Sequence, residues 1–343
     1  MTAIETQALT KRFRRLGSYR DLVLYPWRKS SRIAVDNLSL QVQRGELFGL
    51  LGENGAGKTT LIRMLSTTLL PTSGTATVEG HDVVREPQAV RRLIGLVTGD
   101  ERSFYWRLTG RQNLEFFAAL HHIARADARR RIDELVEIIG LGDVVTQPFQ
   151  TYSTGTRHKF DIARALITEP KVLFLDEPTR SLDPLAAVGV RDLITRYLVG
   201  ELGRTVLLAT HTLAEAEAIC DRLALIRDGR LVAVGTIADL RSQMNLSTTV
   251  ELRVRGPAGE LQRELERLVG VIGATTVFED GTTRLTVRLD RDNDALNRLL
   301  HTALAAGIEI ESCTTREPAL DEIYRRALGD EMPDAIPGAS EAI

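Results

Sequence analysis

The stretch Gly52-Glu53-Asn54-Gly55-Ala56-Gly57-Lys58-Thr59 constrains the fold of this chain more than any other. It fits the spacing G-x-x-x-x-G-K followed by Ser or Thr. The apolar run Leu47–Leu51 leads into its first glycine, and a helical pattern runs on from about residue 58 to residue 69. A strand entering such a loop and a helix leaving it form the context in which glycines turn backbone N–H groups inward around phosphate oxygens. The helix N-terminus adds positive potential at the same point. Lys58 is placed to reach β- and γ-phosphates and the Thr59 hydroxyl to ligate Mg²⁺, with Thr60 included in the same phosphate-binding stretch.

The rest of residues 1–235 continues the pattern. Apolar runs at 172–175 and 206–209 alternate with helical stretches at 159–167 and 213–220. Buried strands that alternate with helices imply an α/β fold with a parallel sheet covered by helices. Residues 78–80 and 224–231 read as antiparallel additions, the second turning at Asp228-Gly229. Residues 111–123 and 126–139 read as two helices inserted into this core, with Leu135, Ile138 and Ile139 on one face.

Beyond residue 240 the pattern changes. Strands are expected at 249–254, 282–289 and 308–313, with a further one near 275–278, and helices at 260–269 and 294–306. That order predicts a small α+β, ferredoxin-like domain over 248–328, closed by a short helix at 319–328. The tail, 329–343, is rich in Pro, Gly, Ala and acids and is expected to be disordered. No internal repeat is found, so one copy of the larger domain, 1–240, is present.

Net charge is −2, which gives the whole chain no bulk attraction for nucleic acid or acidic membrane. Cys220 and Cys313 are too few for a disulfide framework and read as thiols in a reducing compartment. No apolar run is long enough to cross a bilayer, and residues 1–10 have no signal-peptide pattern. The chain is expected in the cytoplasm, and a membrane role would need partner subunits. Residues 11–32 carry eight Lys or Arg and one acid, Asp21, with Leu22, Val23, Tyr25 and Trp27 among them. Such a segment suits either a membrane-surface contact or a solvated excursion over the core.

A second chemical element is Val172-Leu173-Phe174-Leu175-Asp176-Glu177. A buried strand there delivers two carboxylates at its C-terminal end, where ligands collect in open α/β sheets. Asp176 is positioned to hold Mg²⁺, and Glu177 to polarise the attacking water as general base.

Further motifs follow in order. Tyr152-Ser153-Thr154-Gly155-Thr156 resembles the signature motif of ABC ATPases, typically LSGGQ, with Thr154 and Thr156 where glycine and glutamine are common. Ser181-Leu182-Asp183 resembles the D-loop of that family, and Ala209-Thr210-His211 its switch histidine. Over residues 1–235 the chain is therefore similar to an ABC transporter nucleotide-binding domain. The resemblance implies a P-loop NTPase core of ABC type, with an antiparallel β subdomain and a helical subdomain at about 110–165. It also implies ATP and Mg²⁺ as ligands and a head-to-tail homodimer. In that dimer Ser153, Thr154, Gly155 and Thr156 of one copy cap the γ-phosphate held by the other, Asp183 sits at the interface, and His211 contacts the γ-phosphate and holds Glu177. Phe13 matches the adenine-stacking aromatic. The family's glutamine is missing near Ile94–Val97. Asp100 stands in for it as a Mg²⁺ or water contact, with Glu101 as the other choice.

Residues 107–114, 226–231 and 317–324 resemble the ABC-2 type of drug- and polysaccharide-export ATPase. That implies an exporter working through an integral membrane permease on a separate chain, at the cytoplasmic face of the cell membrane and without nucleic acid. Phe104, Tyr105 and Trp106 would sit beside the groove for the permease, or in the core. Other readings are an ABC ATPase serving a non-transport machine and a non-hydrolysing ATP-binding regulator. The single ATP core and the intact Lys58, Asp176, Glu177 and His211 argue against them.

Overall fold

Strands Thr2–Arg14 (β1) and Ser31–Gln43 (β2) pair antiparallel, from Thr2 opposite Gln43 to Arg14 opposite Ser31. Leu38, Leu40 and Val42 point inward at every second position, which covers one face of this ribbon. Leu47–Leu51 (β3) is buried along its whole length and leads through the glycine loop into Lys58–Leu65 (α1). The helix ends earlier than its pattern predicted, because Thr67 takes a left-handed conformation with φ 61°. Ser73–Val78 (β4) pairs with β1 and His81–Asp82 (β5) with β4, giving an antiparallel sheet in the order β2-β1-β4-β5. This computed structural model describes residues 1–14, 31–98, 104–243, 248–279, 281–290, 294–316 and 324.

Pro87–Leu93 (α2) and Ile94–Val97 (β6) lead to the helical region. Gly110–Leu120 (α3) opens with a capping box, in which Thr109 and Gln112 satisfy each other's backbone N–H groups. Arg125–Ile139 (α4) buries Ala128, Ile132, Leu135 and Ile139, a stripe at helical spacing. Ile138, expected on that face, lies outside it and is 39% exposed. After two 3₁₀ turns comes Thr154–Leu166 (α5). Phe104, Phe149 and Phe160 pack ring on ring between these helices, with Phe104 and Phe149 stacked at 4.6 Å. Phe104 is thus core, whereas Tyr105 and Trp106 stay about half exposed.

Val172–Asp176 (β7) is followed by Pro184–Asp192 (α6), which continues as a π-helical stretch over Leu193–Glu201. Thr205–Thr210 (β8), Leu213–Ile219 (α7), Arg222–Arg227 (β9) and Arg230–Gly235 (β10) complete the first unit. The second sheet has the order β10-β9-β3-β8-β7-β6. β9 pairs parallel to β3, so only β10 is an antiparallel addition, not the whole of 224–231. The crossover through α7 returns the chain to the same end of the sheet, and this makes β9 parallel.

The chain divides into two compact units, Met1–Thr236 and Ile237–Ile343. The second contains Ile237–Gln243 (α8), Thr248–Arg255 (β11), Gly259–Leu265 (α9), Val271–Glu279 (β12), Thr282–Leu289 (β13), Ala295–Ala305 (α10) and Ile310–Arg316 (β14). Its sheet runs β12-β13-β11-β14 with every pair antiparallel, the ferredoxin-like split βαβ arrangement. Leu252, Leu261, Leu265, Leu285 and Leu299 form its core. The expected helix at 319–328, apart from residue 324, and the tail 329–343 lie outside the described residues.

Candidate functional site

Strands β3, β8 and β7 are neighbours, with Leu51 opposite Thr210 and Asp176 opposite Ala209. Their C-terminal ends therefore bring together three segments far apart in sequence: the glycine loop, the two carboxylates and His211.

The loop tolerates no other residue type at two of its glycines. A Cβ on Gly57, at φ 110°, would lie 2.3 Å from the Ala34 carbonyl oxygen, and one on Gly52 2.3 Å from that of Ile226. Gly55 is also left-handed, at φ 89°. The back of the loop is tied down where Ala56 N–H donates to the Glu53 carbonyl and Gly229 N–H to the Ala56 carbonyl. Lys58 is 5% exposed, and its ammonium donates to the carbonyls of Gly52 at 2.5 Å and Glu53 at 3.1 Å. Burial lowers its pKa, opposed by the nearby charges of Glu177 and Asp176.

Asp176 is 9% exposed, and burial raises its pKa, opposed chiefly by a hydrogen bond with the Thr59 side chain. Glu177 sits in a left-handed conformation, φ 52°, with its N–H on the Ala209 carbonyl at 2.9 Å. Its Oε1 meets His211 Nδ1 at 3.0 Å. Its Oε2 is buried with no hydrogen-bond partner, the Arg180 guanidinium lying 3.6 Å away. A desolvated carboxylate beside a threonine hydroxyl, next to an acid with an unsatisfied oxygen, fits a divalent cation and a bound water. Among the described residues no three His, Cys, Asp or Glu side chains form a metal cluster. A cation here would thus draw on Thr59, Asp176 and the oxygens of its ligand.

A cavity of about 860 Å³ opens over the loop. Phe13, Asn54, Gly55, Gly57, Lys58, Thr59, Thr60 and Glu177 line it, all of them expected. Ser31, Arg32 and Ala34 line it too, and were not expected. They arrive through the β1–β2 register, in which Phe13 lies opposite Arg32. Gly52, Glu53, Ala56 and Asp176 are not part of the cavity's lining.

The other expected residues are elsewhere. Ser153 caps α5, its hydroxyl accepting from Thr156 N–H at 3.2 Å and meeting the Thr156 hydroxyl at 2.8 Å. Asp183 caps α6 by accepting from Ala186 N–H at 2.9 Å. A Cβ on Gly155 would come within 3.1 Å of the Ala186 side chain, so the two helix starts are packed together. Ser153, Thr154 and Asp183 are exposed, Gly155 and Thr156 half-buried, and none of the five lines the cavity. Asp100 and Glu101 lie outside the described residues. No helix among the described residues is long and apolar enough to cross a membrane.

Comparison with known proteins agrees with this geometry. Residues 35–180 match the ABC transporter family model, and residues 235–328 match the model of the DrrA1-3-like ATP-binding protein C-terminal domain. The daunorubicin resistance ATP-binding protein DrrA3 of Streptomyces coeruleorubidus is 43% identical over 89% of this chain and 94% of its own. The daunorubicin/doxorubicin resistance ATP-binding protein DrrA of Streptomyces peucetius is 40% identical over 88% of this chain and 89% of its own. Among solved structures, cbiO1 from Clostridium perfringens, part of the ABC transporter complex cbiONQ, superposes with a TM-score of 0.59 at 26% identity. That match covers 71% of this chain and 94% of cbiO1. The chain belongs to the ABC transporter ATP-binding proteins, as an ATPase of the DrrA-like, ABC-2 exporter type.

Proposed function

We infer that two copies of this chain close head to tail on two ATP molecules and thereby drive a separate membrane permease. The observation that carries this reading is the place of Ser153, Thr154 and Asp183, exposed on the surface and away from the ATP cavity of their own copy. A helix N-terminus capped by serine presents free N–H groups to an anion, yet its own nucleotide site lies elsewhere. A triphosphate held by a second copy supplies that anion.

Each residue then has a role. Phe13 offers a ring face to adenine, and the loop Gly52–Thr59 with Thr60 holds the phosphates. Lys58 leaves its carbonyl partners for the β- and γ-phosphates. Mg²⁺, held by Thr59 and Asp176, supplies neutralisation of phosphate charge when bound. Glu177 orients and polarises the attacking water, and His211 holds Glu177 at 3.0 Å and reaches toward the γ-phosphate. ATP closes the pair because it binds the closed state more tightly than the open one, and hydrolysis removes that preference. The names of the relatives support export of a drug-like compound, whose path belongs to the permease. The chain itself then works at the cytoplasmic face of the membrane.

Replacing Glu177 by Gln tests this. With MgATP the Glu177→Gln chain elutes as a dimer retaining unhydrolysed ATP, whereas the unsubstituted chain does not accumulate one. Normal hydrolysis by Glu177→Gln, or a monomer at saturating ATP, contradicts the reading.

A further inference from the structure

We propose that Glu215 is a positioning residue. Together with Thr179 it latches the turn between the catalytic carboxylate and the D-loop to the helix that follows the switch histidine. The inference rests on the reading of Glu177 as the base.

Glu215 lies in the first turn of α7 and is 2% exposed. The Thr179 hydroxyl donates to its Oε1 at 2.7 Å, while its Oε2 is buried without a hydrogen-bond partner. A buried carboxylate satisfied on one oxygen costs free energy that an apolar pair of the same shape would not. Stability alone therefore does not account for it.

Geometry supplies an account. Three rungs join segment 177–179 to segment 209–215: Glu177 N–H to the Ala209 carbonyl at 2.9 Å, Glu177 Oε1 with His211 Nδ1 at 3.0 Å, and Thr179 with Glu215. On the turn itself, Glu177 at φ 52° and Ser181 at φ 62° are both left-handed without being glycine. Such conformations persist only where neighbouring contacts over-determine them. The Thr179–Glu215 bond sits between the two strained residues. Asp183, the exposed cap of α6, follows two residues after Ser181. A movement of His211 and α7 is thus handed to both the catalytic carboxylate and Asp183, instead of being absorbed by a loose turn.

The test uses the full-length chain, measuring kcat, KM for MgATP and thermal midpoint. Thr179→Val removes the hydroxyl at nearly constant volume. Thr179→Ala removes it without placing a methyl group against the carboxylate, and serves if the valine chain does not fold. Neither Thr179 nor Glu215 lines the ATP cavity, so KM stays within about twofold, while kcat falls about tenfold, the rate equivalent of one lost charge-assisted hydrogen bond. Thr179→Ser restores turnover because the hydroxyl returns. The latch is overturned if Thr179→Val and Thr179→Ala lower the midpoint yet keep full kcat per folded molecule, or if Thr179→Ser is as slow as Thr179→Val. Glu177→Gln, measured alongside, separates the two levels. Turnover by that chain sinks the assigned base, whereas its inactivity together with normal turnover by the Thr179 chains sinks only the latch.

Discussion

Tyr152, immediately before the Ser153 cap, has a phenol whose titration measures how tightly the helical region is closed. The residue is 4% exposed, and its hydroxyl donates to the Val144 carbonyl at 2.7 Å. Burial pushes its pKa up to about 12 from an ordinary value of 10.0, opposed by the Gly110 backbone. The folded state therefore prefers the neutral phenol. Stability is unaffected below the unfolded-state value and falls as pH rises from there toward the folded value. At about 1.4 kcal/mol per pH unit the loss amounts to about 2.7 kcal/mol, accumulating from pH 10 upward. Tyr152→Phe removes that loss but also removes the hydrogen bond to the Val144 carbonyl, which keeps its bond from Gln147 N–H at 3.0 Å; one lost bond costs about 1 kcal/mol at neutral pH. The unsubstituted chain should therefore be the more stable near pH 8. The two stabilities should cross near pH 11, with Tyr152→Phe ahead by about 1 kcal/mol at pH 12. Denaturant unfolding followed by Trp106 fluorescence reads this region directly, because Trp106 lies 6.3 Å from Phe149 and Phe149 lies 5.1 Å from Tyr152. The chain has one other tryptophan, Trp27, which Trp27→Phe silences in both backgrounds. A stability difference of constant size from pH 8 to pH 12 would refute this linkage.

Two further outcomes follow from the site. Asp176→Asn removes a desolvated carboxylate while keeping an acceptor for Thr59, so the nucleotide-free chain should melt a few degrees higher, by about 2–4 °C, while losing ATP turnover; a lower midpoint in a chelator-containing buffer contradicts this. Arg32→Ala should raise KM for ATP about fivefold at constant kcat, as expected for one exposed charge-assisted contact with the nucleotide; an unchanged KM would mean that the guanidinium lines the cavity without touching ATP.

Much of the site was legible because its chemistry is local. The glycine loop, the carboxylates after the β7 run and the histidine after the β8 run each sit within a few residues of the strand that aims them. What was not legible depends on pairing. Arg32, Ser31 and Ala34 reach the cavity only through the register of β2 against β1, which the composition of the basic, aromatic segment between them does not reveal. The run at 224–231 looks the same whether its first half pairs parallel or antiparallel, and the crossover helix α7 decides it. Ile138 failed as a core position because the buried stripe follows residues 128, 132, 135 and 139, one position away on the helix. The C-terminal strand expected near 275–278 is longer than expected, at Val271–Glu279, because exposed Ile272, Val277 and Phe278 and a register shift between Val271 and Gly273 break the alternation by which a half-buried strand is read. Glu215 carried no signal at all, since a glutamate in an amphipathic helix reads as solvated until Thr179 is seen beside it.

The central claim is that each ATP is held by one copy and completed by the other. Mixing two inactive chains tests it most directly. Lys58→Ala has no working phosphate loop but a sound signature; Ser153→Glu has a sound loop but places a carboxylate where the partner's triphosphate would meet the signature. In a head-to-tail pair, each mixed dimer contains one site built from two intact halves, so an equimolar mixture should regain about a quarter of the unsubstituted activity. If the mixture stays as inactive as its components while mixed dimers form, the ATP site is not shared between copies and the head-to-tail arrangement is wrong.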